Sequence, residues 1–91
     1  MPLTLSLNAY PNPFSERFTI EFDVPSVNRV QLALYNVLGQ KLQTIVDRTV
    51  SEGTQRIAWS TSEINLPSGM YFLRLQVGDK LLTRPISRIA R

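Results

Sequence analysis

Apolar and polar residues alternate along most of this chain with a period of two, the spacing of a strand with one buried and one wet face. Arg17–Val24 is the clearest case: Phe18, Ile20, Phe22 and Val24 alternate with Arg17, Thr19, Glu21 and Asp23. Ahead of it, Leu3, Leu5 and Leu7 alternate with Thr4, Ser6 and Asn8 and predict a first strand. Between them lies Tyr10-Pro11-Asn12-Pro13-Phe14. Two prolines within three residues remove two backbone donors and fix φ, so an irregular extended turn is expected there. Val30, Leu32 and Leu34 alternate with Gln31, Ala33 and Tyr35 as a third strand. Asn36-Val37-Leu38-Gly39 suits a type I turn closed by glycine in the left-handed region. Lys41–Val46 is then the returning strand.

Asp47–Gly53 is polar and reads as a loop. Thr54–Ser60 places Ile57 and Trp59 on one face and predicts a fifth strand. Thr61–Gly69 is turn-like. Tyr71, Leu73, Leu75 and Val77 alternate with Phe72, Arg74 and Gln76, giving a sixth strand, and Gly78-Asp79 suits a type II′ hairpin turn. In Lys80–Arg91 the spacing of Leu81, Leu82, Pro85, Ile86 and Ile89 is helix-like. Pro85 would cost a helix about 3 kcal/mol, so an edge strand that tolerates proline is expected instead. Seven short strands without a helical segment predict an all-β fold, a sandwich of two antiparallel sheets. Its expected core is Phe18, Ile20, Phe22, Leu32, Leu34, Ile57, Trp59, Tyr71, Leu73 and Leu75.

The chain has 91 residues, which fits one domain, residues 1–91, that buries only about 60–65% of the surface its unfolded chain exposes. Hydrophobic residues make up 43% of it, enough for a packed core. No apolar run approaches the ~20 residues of a membrane helix, so no membrane insertion is expected. Met1-Pro2 leads straight into an alternating segment rather than a basic region and an apolar stretch, which suggests one domain of a longer protein. Net charge is +3, carried largely by arginine, and reads as ordinary solvated surface charge. No nucleic-acid partner is implied.

The chemistry is sparse. Neither cysteine nor histidine occurs, which removes the thiol nucleophile, the disulfide and the commonest general base and metal ligand. Serine and threonine hydroxyls therefore lack the usual base, and neither lysine sits in a Ser-x-x-Lys motif. Glu21 and Asp23 share a strand face and could flank a sugar or hold calcium, but the solvent face of a strand explains them better. No catalytic residue, cofactor or metal is expected. Trp59, Tyr35 and Tyr71 could stack on a carbohydrate; for Trp59 and Tyr71 a core position is favoured, with the Tyr71 hydroxyl bonding a backbone corner.

Three stretches together resemble one family. They are Tyr10-Pro11-Asn12-Pro13-Phe14, then Leu34-Tyr35-Asn36-Val37-Leu38-Gly39-Gln40, then Leu66-Pro67-Ser68-Gly69-Met70-Tyr71-Phe72-Leu73-Arg74-Leu75, followed by a basic segment. In that order they are similar to the C-terminal sorting domain of proteins exported by the type IX secretion system of Bacteroidetes and their relatives. The resemblance implies an Ig-like sandwich at the end of a larger exported protein, often a hydrolase or adhesin. It implies a route through the periplasm, recognition by an outer-membrane translocon, and processing by a sortase-like protease at the cell surface. A similar Ig-like fold occurs in the flagellar hook-capping protein, so fold likeness alone does not imply export.

By position, Gly69 and Tyr71 fall on the family's Gly-x-Tyr motif, and Lys80, Arg84, Arg88 and Arg91 fall in its basic end, where lysine is more usual. These six are the candidate recognition residues. The last strand, basic and at an edge, is expected to be read through its backbone or charges, and truncation of Ile86–Arg91 to leave most of the sandwich folded yet abolish export. A monomer is expected, with an edge-strand dimer as the alternative. Two other functions fit the composition, a structural Ig-like module and a carbohydrate-binding module of a secreted hydrolase.

Overall fold

The structure is a computed structural model and describes residues 5–61 and 64–89. Seven strands form: β1 (Ser6–Tyr10), β2 (Arg17–Val24), β3 (Asn28–Tyr35), β4 (Lys41–Val50), β5 (Gly53–Ser60), β6 (Gly69–Val77) and β7 (Lys80–Arg88). They build two antiparallel sheets, one ordered β1-β2-β5 and the other β4-β3-β6-β7. This is the β-sandwich that the alternation predicts. In the seven-strand immunoglobulin arrangement the fourth strand joins the first sheet. Here β4 lies beside β3 in the second sheet instead.

Between the sheets lie the even-numbered residues of β2 (Phe18, Ile20, Phe22, Val24) and β3 (Val30, Leu32, Leu34), all at most 1% exposed. The odd-numbered residues of β6 (Tyr71, Leu73, Leu75, Val77) complete the layer. Leu7, Phe14, Val46, Val50, Leu66 and Ile86 are buried with them. Phe14, Phe18 and Trp59 form a tilted aromatic row, with centroids 4.6 and 5.4 Å apart. Ile57 departs from the expected core and is only partly buried. Its strand is at a sheet edge, where one flank of each inward side chain meets water.

Other differences are local. The first strand starts at Ser6, and Leu3 lies outside the described residues. The expected loop at Asp47–Gly53 is mostly strand, because β4 continues to Val50 along Asn28–Val30. Val50 supplies a second inward apolar group after Val46, and Asp47 pairs with Arg29 at 2.6 Å across the strands. Only Ser51 and Glu52 remain to carry the chain to the other sheet.

The hairpin turns form as the sequence predicts. Gly39 has φ of +83°, and its N–H donates to the Asn36 carbonyl at 3.0 Å. The Asn36 side-chain oxygen accepts from the N–H groups of Leu38 and Gln40. Gly78 has φ of +59° and Asp79 does not share a positive φ, the pattern of a type II′ turn.

β7 is an edge strand with Pro85 in it, opposite Phe72. Its outer edge is covered at one end. Phe14 donates its N–H to the Ser87 carbonyl (2.9 Å), and the Ile89 N–H donates back to the Phe14 carbonyl (2.8 Å). Asn12 adds both halves of its amide, donating to the Pro85 carbonyl (3.2 Å) and accepting from the Ser87 N–H (3.0 Å). Pro85 has no N–H to offer, and Asn12 meets its carbonyl instead. The Tyr10-Pro11 and Asn12-Pro13 bonds are both cis.

This clamp and the burial of Ile86 run against the expectation that truncation of Ile86–Arg91 leaves most of the sandwich folded. Ile86 is fully buried, and its strand holds Phe14 in the core. Replacing Ile86 with alanine is expected to cost about 2–5 kcal/mol, much of the stability of a domain this size. Urea unfolding followed by Trp59 fluorescence should show the midpoint fall accordingly. An unchanged midpoint would mean that the strand end does not pack as described.

Candidate functional site

The registers place every strand terminus at one of two ends. Leu5, Pro25–Val27, Ser51-Glu52 and the Gly78-Asp79 turn gather at the end where the chain enters β1. Tyr10–Glu16, Asn36–Gln40, the segment before Gly69, and Arg88-Ile89 gather at the other. Strands of eight or nine residues hold the two ends about 25–30 Å apart, in a molecule whose longest dimension is 41 Å. The three motif stretches, far apart in sequence, all have their turns at this far end.

Polar bonds tie them there. Arg88 reaches inward from β7, its Nε donating to the Ser15 carbonyl and its Nη1 to the Leu66 carbonyl, both at 2.7 Å. One side chain thus joins the Pro11–Ser15 segment, the Leu66–Gly69 segment and the last strand. The Tyr71 hydroxyl donates to the Pro67 carbonyl at 2.5 Å, the backbone corner expected of it, with the ring buried. Gly69 enters β6 with φ of +148°, and a Cβ there would meet no atom within 4 Å. The demand for glycine at this point is therefore conformational and not a matter of space. On the outer face Arg74 lies over the Tyr35 ring, 4.7 Å from its centroid.

The candidate recognition residues do not form one patch. Gly69, Tyr71 and Arg88 belong to the far end, where they shape the backbone. Lys80 sits beside the turn at the entry end, about 26 Å along the strand from Arg88. Arg84 lies between, its Nε donating to the Leu7 carbonyl at 3.1 Å across to the other sheet. Arg91 lies outside the described residues. Arg84 thus joins the two sheets, while Arg88 ties β7 to two irregular segments. Asn12 and Phe14, central to the clamp, belong to the first motif stretch but are not among the candidate recognition residues. Their signal was the Pro-Asn-Pro frame itself, which aligns an amide with a neighbouring strand edge.

A family model described as the secretion system C-terminal sorting domain matches residues 8–87. The chain belongs to this family. It is a sorting signal for type IX secretion, a signal domain and not a catalytic one, and it directs its cargo to the cell surface or outside. The match begins within β1, ends one residue before Arg88, and contains all three motif stretches of the sorting domain. No curated protein matches the chain.

The other chemistries considered find no support in the sorting domain. Trp59 is 6% exposed and packs on Phe18, so it offers no stacking face. Among the described residues no three carboxylates converge on a point. Glu21 and Asp23 are spoken for within their own sheet. Arg56 Nε donates to Glu21 at 2.6 Å, while Thr54 and Ser6 donate their hydroxyls to Asp23 at 2.6 and 2.9 Å. Asp23 thereby links β5, β2 and β1.

The two hydroxyls, Thr54 foremost, favour the charged form of Asp23 and lower its pKa below the ordinary 3.8. A lowered folded pKa adds stability above the unfolded value and loses it as pH falls through the folded one. The stability difference between wild type and Asp23→Asn should therefore shrink below about pH 4, and urea midpoints across that range check it. A pH-independent difference would mean that the bonds do not depend on the charge.

Proposed function

We propose that this chain is the last domain of a larger exported protein, and that the export machinery reads its folded far end. The observation that carries this reading is the convergence of three motif stretches and the end of β7 at one end, opposite the point where the chain enters β1. Cargo attached ahead of Leu5 leaves that end uncovered. Lys80 and Arg84 then serve solubility and sheet pairing, while Gly69, Tyr71 and Arg88 hold the recognised surface in shape. Arg91 would add charge beyond the clamp.

The partners proposed are an outer-membrane translocon, met after passage through the periplasm, and a sortase-like protease that removes the domain from its cargo. That cargo would be a secreted hydrolase or adhesin. The domain acts as a monomer. Of the sheet edges through which two copies could pair, that of β7 is partly occupied by Asn12 and Phe14.

A fluorescent reporter carrying residues 1–91 at its C-terminus tests the assignment in a host with a type IX system. Translocon-dependent appearance of the reporter outside the cell is the expected result. Stable retention in the periplasm, while a known sorting domain is exported from the same host, would overturn it in favour of a structural module.

A further inference from the structure

Leu38, at 80% the most exposed large apolar side chain of the described residues, stands with Val37, 65% exposed, at the tip of the β3–β4 hairpin. The turn does not need them. Its shape is set by the Asn36 side chain and by Gly39, and polar residues serve the central positions of a type I turn well. Tyr10, Met70 and Ile89, all about half exposed, lie at the same end of the molecule. That end therefore holds five of the seven large apolar residues most exposed among those described, Val27 and Leu81 being at the other. Such a gathering on a small domain marks an interaction surface.

The turn is also a ridge between two hollows. Leu42, Ile64 and Pro67 line the one, and Tyr35, Phe72 and Arg74 the other. On the outer side the cations are uncompensated. No carboxylate of the described residues lies within ion-pair distance of Lys41 or Arg74, and the nearby Asp47 is engaged by Arg29. In a two-fold contact each patch meets its own copy, so these cations would face each other. The surface therefore suits a different protein, apolar at the centre and acidic at the rim.

We propose that Val37 and Leu38 form an apolar knob that seats in an acid-rimmed apolar pocket on a protein of the export machinery. This rests on the reading of the far end as the recognised surface, and it names the residues that bind there. A few central residues, desolvated on docking, carry most of an interface's affinity.

The test is reporter export by the full 91-residue chain bearing Val37→Ser with Leu38→Ser. Val27→Ser with Leu81→Ser serves as the matched pair at the opposite end. Thermal unfolding of each purified domain reads out folding. Expected is a tenfold or greater loss of translocon-dependent export for the first pair, wild-type export for the second, and wild-type melting for both. Undiminished export by the first pair, or an equal loss in the second, overturns the proposal and leaves the sorting function intact. Lowered melting in the first pair that matches its export loss also overturns it, since the turn is then structural. Sedimentation showing a wild-type dimer that the first pair abolishes would make the occupant a second copy, again against the proposal. Failure of the wild-type reporter to export would remove the sorting reading itself.

Discussion

The structure depends on how the end of β7 is held. A sandwich this small has strand edges on both sides, and an unpaired edge is both a loss of hydrogen bonding and an invitation to aggregate. Here the Pro11–Ser15 segment lies along the outer edge of β7, exchanging two backbone bonds through Phe14 and two more through the Asn12 amide. Phe14 is carried into the core by the same contact, where it meets Phe18. Arg88 then braces the joint from inside. Remove the clamp and the last strand, the aromatic row and the Leu66–Gly69 corner lose their common support.

This arrangement gives a physical meaning to motifs that are separate in sequence. Asn36 and Gly39 close one turn, Gly69 and Tyr71 set another, and the Pro-Asn-Pro segment ties the chain's last strand to its first turn. Each is a device for shaping backbone at one end of a rigid body. On the proposed reading, a sorting signal built this way can remain the same while the cargo varies, because the recognised end lies opposite the start of β1. It is also complete only when folded, so recognition would report the folded state of the domain.

The alternation made the strands legible because each sheet has one dry face, and Arg17–Val24 shows it residue by residue. Turn chemistry was equally legible at Gly39 and Gly78, both of which take a positive φ. What escaped were contacts made by residues outside the alternating pattern. Phe14 and Leu66 are buried from irregular segments, and a single apolar residue between polar neighbours carries no period. Val50 was hidden behind Asp47, Arg48 and Thr49, whose polarity fits an edge strand as well as a loop. Arg84 and Arg88 read as a basic tail because sequence shows charge and not direction; both point inward to carbonyls.

The central claim is that the tail is read as part of a folded end and not as a free peptide. Asn12→Ala, alone and with Phe14→Leu, loosens the clamp without altering any residue of the tail. Amide exchange at Ser87 and Ile89 and translocon-dependent export of the same variants should be measured together. The account predicts that export falls in step with the loss of protection at those two amides. Full export by a variant whose Ser87 and Ile89 amides exchange freely would contradict it.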